Sequence, residues 1–214
     1  VKHFIFFSCT VMYQSSDIAL REEDFVASQE IHPRYFGVGW TKVYIEQMCE
    51  FFSRLGRTKH TVIRHSNIYG PHDNFSLEHS HVIPALIHKC YMAKQNNEPF
   101  VVWGSGKPLR EFIYVDDIAR LTEWALQNYE DKEPLILTTS QETSIWTAAR
   151  TIARLMDFQG TVVCDKSKPD GQYRKPSSNK KLRSYLPDFK FTPLEYGLKQ
   201  TIDWFVENYS SVRK

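Results

Sequence analysis

Two polar residues frame a position where a phenol would be useful and is missing. Ser8 directly follows the apolar run "HFIFF" (His3–Phe7), and Lys42 lies within "RYFGVGWTKVY" (Arg34–Tyr44). A serine just past a buried strand presents its hydroxyl at the strand's carboxyl end, where open α/β sheets place ligands. A lysine in the first turn of the next helix can hold a ribose and lower the pKa of a neighbouring phenol. A tyrosine one turn before that lysine would share its helix face and could relay a proton to a sugar oxygen. The residue there is Val38, which can neither donate a proton nor bind an oxyanion. Tyr35 lies seven residues before Lys42, two helical turns away, and could stand in only if the loop rearranged. Other polar groupings carry less. His72, Asp73 and His79 fit neither H-E-x-x-H nor a facial triad, so no metal site is expected. "RLGRTKH" (Arg54–His60) reads as a solvated helix end.

These residues need a frame. Continuous rather than alternating apolarity in His3–Phe7 predicts a fully buried strand of a parallel sheet. A helix is expected over Thr41–Leu55. Its apolar side would be Tyr44, Ile45, Met48, Phe51, Phe52 and Leu55, and Gly56 its stop. Thr61–Arg64 returns as a second strand, completing a right-handed parallel unit. Ser80 can N-cap a helix over "HVIPALIHKCYMAKQ" with Pro84 in its first turn. Phe100–Gly106 and Arg110–Val115 read as short strands. "DDIARLTEWALQN" reads as a helix with its acids at the favourable end of the dipole. Pro134–Thr139 is a further buried strand, "SIWTAARTIARLMD" a helix closed by Gly160, and "TVVCD" a strand. Finally, "TPLEYGLKQTIDWFVENY" opens on a capping box of Thr192 and Glu195 with Pro193 at its first helical position. Alternating strands and helices give an α/β fold.

Composition narrows the function classes. The chain has 214 residues, 42% hydrophobic and 14% aromatic, enough for a packed core rather than disorder. Lys plus Arg total 27 against 25 for Asp plus Glu, too balanced to argue for a nucleic-acid or membrane-surface partner. Cys9, Cys49, Cys90 and Cys164 are spread too widely for metal pairs or disulfide staples, so reduced thiols in a cytoplasmic protein are expected. No apolar run approaches the ~20 residues of a membrane span. The opening "VKHFIFFS" enters a buried-type strand without a leading Met, so an upstream part is expected to be missing. Alone, the chain would then expose an apolar strand edge, be poorly soluble and be unable to grip a dinucleotide.

Five segments appear in one order: "RHSNIYGPHDNF", "SHVIPALIHK", "VVWGSGKPLREFIYVDDIA", "DKSKPDGQYRK" and "LPDFKFTPLEYGLKQTIDWFVEN". From about Phe4 to the C-terminus the chain closely resembles the GDP-L-fucose synthase family of extended short-chain dehydrogenases/reductases. The family's glycine-rich turn for the cofactor pyrophosphate has no counterpart in "GSG" (Gly104–Gly106), which lacks the third glycine and lies far downstream. The resemblance implies the C-terminal part of a Rossmann-like, NADP-binding parallel sheet over residues 1–70, with 111–139 returning to it. Residues 71–214 would be mainly a smaller mixed α/β substrate-binding domain. It also implies a homodimer assembled through a four-helix interface, to which the Thr41–Leu55 helix with Phe51 and Phe52 could contribute.

The reaction implied is conversion of GDP-4-keto-6-deoxy-mannose to GDP-L-fucose: epimerisation at both carbons flanking the ketone, then reduction by NADPH. The ketone acidifies those carbons, so the site needs a base, an acid and an oxyanion stabiliser. Carried over by resemblance, His81 is the acid/base histidine, Lys42 the active-site lysine and Ser8 the active-site serine. The family cysteine falls on Thr10 in that register and on Cys9 if it shifts by one. Phe6, Phe7, Ser8, Lys42, His65, Ser66, Asn67, Ile68 and His81 would border NADP(H). Lys89, Trp103, Arg110 and Lys175 would meet the GDP-sugar, through cations for the diphosphate and a stacking aromatic. With Val38 at the tyrosine position, the resemblance leaves two readings open: an enzyme of altered chemistry, or a non-catalytic nucleotide-sugar-binding protein.

Overall fold

The computed structural model describes residues 1–214 as eight strands, six α-helices and three single 3-10 turns. β1 (His3–Cys9), α1 (Phe36–Arg54) and β2 (Lys59–His65) form the parallel unit expected from the sequence, with Phe6 registered on Val62 and Cys9 on His65. β6 (Leu135–Leu137) pairs parallel with β2 on its other side, so β2 is central and β1 the outer strand. β3 (Asn67–Tyr69), β5 (Leu109–Tyr114) and β7 (Glu142–Ser144) make a second sheet. β4 (Phe100–Trp103) and β8 (Val162–Asp165) form a third, two-stranded one.

The helices fill the space between these sheets. α2 (Val82–Asn96), α4 (Ile145–Leu155) and α6 (Leu194–Glu207) close on β4 around Ile87, Phe100, Ile152 and Phe205, all essentially without solvent contact. α3 (Val115–Asn128) and α5 (Lys180–Tyr185) pack Leu121 and Leu182 against Ile63, Leu135 and Leu137. Full burial of such side chains contributes about 1.5–3 kcal/mol each. A third cluster anchors the long β1–α1 connection, setting Met12, Tyr13, Leu20 and Ile31 against Val43 and Ile136. Through that connection Arg64 runs as a buried polar strut. It pairs with Glu46 at 2.7 Å and donates to the Tyr13 hydroxyl at 2.6 Å and the Glu22 carbonyl at 2.9 Å.

Several expectations are corrected. β1 is not fully buried: Phe4 and Phe7 are exposed because β1 has a partner strand on one side only. α1 begins at Phe36 rather than Thr41, so Lys42 stands in its second turn. Its buried face is Gly39, Val43, Glu46 and Cys49, while Phe36, Trp40, Tyr44, Phe51 and Leu55 make an exposed stripe at helical spacing. The early start depends on glycine, since a Cβ at Gly39 would sit 2.7 Å from Ile31 Cγ2. His81, not Ser80, is the N-cap residue of α2, and it caps without a side-chain hydrogen bond. α4 ends at Leu155 with Asp157 left-handed (φ 51°), well before Gly160. No capping box opens α6: Pro193 is the N-cap residue, Thr192 Oγ1 pairs with Asp117, and Glu195 reaches Arg154 at 2.8 Å.

Candidate active site

The loops beyond β1, β2 and β3 converge with α1, α2 and β5 on one cavity of about 980 Å³. That is at the upper end of the range of small-molecule sites, ~300–1,000 Å³. Its wall includes Lys42, His81, Lys89, Trp103, Arg110 and Lys175, residues drawn from 134 positions of sequence. Cys9 and the whole turn His65, Ser66, Asn67 and Ile68 also line it. Ser8 does not. It is fully buried, with its Oγ directed to the Met12 sulfur at 3.6 Å. Phe6 and Phe7 stand outside the wall and contact Lys42 instead: its Nζ is 4.9 Å from the Phe6 ring centre and donates to the Phe7 carbonyl at 2.6 Å.

Between the two candidates for the family cysteine position, the geometry differs. Cys9 lines the cavity, whereas Thr10 turns into the interior at the start of a 3-10 turn and is buried away from the wall. Burial pushes the Cys9 thiol up, with the Lys175 and Lys42 cations acting in the opposite direction. Val38 is half exposed on the wall, one turn ahead of Lys42. Tyr35, at the N-cap of α1, also faces the cavity. His81 points its Nδ1 at the Asp73 carboxylate 3.9 Å away, and that pairing raises its pKa against the opposing effect of burial. In the sequence Asp73 stood out only beside His72 and His79 as a poor metal grouping; in the fold it is the partner of His81.

Three cations converge without a carboxylate of their own. Neither Lys89, Arg110 nor Lys175 takes part in an ion pair, although Arg110 and Lys175 are buried and Lys89 half buried. Lys89 Nζ sits 3.4 Å from the centre of the exposed Trp103 ring, and Lys168 approaches the same ring at 5.5 Å. Burial and the Lys168 cation bring the Lys89 amine down to about 8. Burial does the same to Lys175, also to about 8. A buried unpaired cation costs several kcal/mol unless an anion compensates it. The turn Gly104–Gly106 serves this arrangement. Ser105 binds Asp170 through its backbone N–H and its hydroxyl, both at 2.7 Å, holding the loop that delivers Lys175. Gly104 is left-handed there (φ 80°), and a Cβ would lie 2.3 Å from Asp170 Oδ1.

The wall also fits the ribose-and-nicotinamide end of a dinucleotide. Ser66 Oγ and Ser80 Oγ are buried, belong to wall residues and lack any hydrogen-bond partner in the chain. Beside them His65 Nδ1 donates to the Ser66 carbonyl at 2.7 Å, and burial lowers its pKa to about 4, keeping it neutral. Among the described residues no His/Cys/Asp/Glu group could hold a metal ion.

Comparison with known proteins gives this geometry a family. A GDP-L-fucose synthase of Dictyostelium discoideum is 43% identical over 195 residues, 90% of this chain and 61% of that protein. The Escherichia coli GDP-L-fucose synthase is 38% identical, over 78% of this chain and 55% of its own length. The crystal structure of a GDP-L-fucose synthetase from Naegleria fowleri bound to NADP superposes with a TM-score of 0.94 at 38% identity, covering 100% of this chain and 69% of that one. The chain thus spans about three fifths of the length of the Dictyostelium relative. Its residues 1–137 match the NAD dependent epimerase/dehydratase family, and to that family the chain belongs.

Proposed function

We propose that the protein is an NADP(H)-dependent epimerase/reductase of a GDP-linked 4-keto sugar, of the kind that converts GDP-4-keto-6-deoxy-mannose to GDP-L-fucose, with an altered catalytic set. One observation carries this reading: three cations without carboxylate partners and an exposed tryptophan share a cavity wall with Lys42 and His81. A GDP-sugar offers what those groups need. Its diphosphate meets Lys89 and Arg110, the latter with bidentate geometry, and Trp103 offers a flat apolar face for stacking. His81, tied to Asp73, is placed to take and return a proton beside the ketone. Lys42 and the turn His65–Ile68 would hold the nicotinamide ribose of NADPH, which when bound would supply the hydride that reduces the ketone carbon. Residues 1–70 with 111–139 form the cofactor-binding part, and 71–214 mainly the sugar-binding part. The working form is a cytoplasmic homodimer, supported by the exposed aromatic stripe of α1.

A second reading keeps the pocket and drops the chemistry. Val38 on the wall and Thr10 buried away from it favour a non-catalytic nucleotide-sugar sensor. NADPH consumption by the whole protein with GDP-4-keto-6-deoxy-mannose separates the two. Turnover by the wild type, raised further in Val38→Tyr, supports the enzyme. GDP-sugar binding without turnover in either protein establishes the sensor.

A further inference from the structure

Tyr35 has no hydrogen bond to its hydroxyl within the chain, yet it lines the cavity beside Val38 and Lys42. The Lys175 Nζ lies over its ring, 5.4 Å from the ring centre. Lys42, the other lysine of this region, is engaged with the Phe7 carbonyl and the Phe6 ring. Lys175 is buried, makes neither a hydrogen bond nor an ion pair, and stands within electrostatic reach of Cys9, Arg110 and Glu111. Glu111 is not available as its counter-ion by contact, because its carboxylate accepts from Thr138 Oγ1 at 2.8 Å and from both the backbone N–H and the hydroxyl of Ser177. Trp103, at the other end of the lysine set, is served by Lys89 and Lys168. Lys175 is therefore a buried cation facing a phenol in the part of the cavity that also contains Cys9.

We infer that Tyr35, with the Lys175 ammonium against its ring, is the proton donor to the sugar ketone, in place of the phenol that position 38 lacks. This rests on the proposed 4-keto-sugar substrate. As the C–H bond beside the ketone breaks, its proton passes to the His81 imidazole, whose protonated form is favoured by the Asp73 carboxylate. The bonding pair becomes the carbon–carbon π bond of an enol. The former carbonyl π pair moves to oxygen, which takes the proton of the Tyr35 O–H. The resulting phenolate is neutralised by Lys175, a positioning residue that acts through Tyr35. Reversal through the same two groups returns both protons, and because the imidazole proton trades with solvent in the interval, the carbon takes up solvent hydrogen. No redox partner is needed for these steps, so they can be observed without NADPH.

The test is uptake of deuterium into GDP-4-keto-6-deoxy-mannose in heavy water, without NADPH, alongside calorimetric binding of GDP. The wild type exchanges the positions beside the ketone. Tyr35→Phe removes only the unbonded hydroxyl, so folding and GDP affinity stay within about twofold while exchange falls about 100-fold or more, the scale of a lost general acid. Lys175→Met lowers the maximal exchange rate more than the half-saturating sugar concentration, and Lys175→Arg restores most of it. Wild-type exchange in Tyr35→Phe with intact GDP binding overturns the role of Tyr35 and leaves the proposed substrate standing. A wild type that binds GDP but exchanges nothing overturns both the role of Tyr35 and the catalytic reading.

Discussion

The Lys42 ammonium donates to the Phe7 carbonyl across 2.6 Å, fastening the second turn of α1 to the carboxyl end of β1. The contact is solvent-exposed, so it contributes at most about 1 kcal/mol to folding. Its larger consequence is to hold a cation at the rim where the dinucleotide ribose is proposed to bind. Lys42→Met should weaken NADPH binding by about tenfold or more, read by nucleotide fluorescence, with a nearly unchanged unfolding midpoint. Unaltered NADPH affinity would remove Lys42 from the cofactor site.

The Arg64–Glu46 pair makes a different prediction. Both side chains are buried, and Arg64 Nε also donates to Glu46 at 3.1 Å, giving fork-like contact. Removing one partner strands the other charge, so Glu46→Ala should cost about 3–5 kcal/mol in urea unfolding. The double replacement Glu46→Leu with Arg64→Met should recover most of that loss. Additive losses in the double variant would show that the strut acts through Tyr13 and Glu22 rather than through the ion pair.

His65 links stability to pH. Burial holds it at about 4 in the folded chain, against about 6.5 when unfolded. Between those values the unfolded chain binds the extra proton. Its penalty on folding is absent above pH 6.5, grows as pH falls and is complete below 4, amounting to about 3 kcal/mol. His81, whose pKa is raised, acts in the opposite sense. Urea unfolding at pH 7 and pH 5 should show a smaller drop in His65→Leu than in the wild type. Parallel drops would mean that other groups carry the acid sensitivity.

The stripe Phe36, Trp40, Tyr44, Phe51 and Leu55 runs nearly the length of α1 in the open. Such a row of exposed aromatic and aliphatic side chains is what an interaction site presents. With the proposed homodimer, Tyr44→Arg combined with Phe51→Arg should shift sedimentation from dimer to monomer without loss of helicity. A double variant that sediments as a dimer would place the interface elsewhere.

This helix also shows how far the sequence could be read. Apolar continuity found β1, and alternation of elements found the β1–α1–β2 unit, because both follow from local pattern. The face of α1 did not, since its aromatics point outward while its inner side carries Glu46, made tolerable only by Arg64 some eighteen residues later. Gly37 and Gly39 likewise disguised the first turn as a loop, although at Gly39 a Cβ would sit 2.7 Å from Ile31 Cγ2. For the candidate site the resemblance named Lys42, His81, Lys89, Trp103, Arg110 and Lys175, which in the fold line one cavity. Ser8 shows the limit of that route, because its inward rotamer toward Met12 is set by packing the sequence does not display.

Every role proposed above requires the cavity to take a nucleotide sugar. Calorimetric titration of the whole protein with GDP, repeated with Arg110→Ala, tests this most directly. Saturable binding that weakens by about 1.5–3 kcal/mol in the variant, the worth of a charge-assisted contact, is predicted. No binding by the wild type, or equal binding by both proteins, would contradict it.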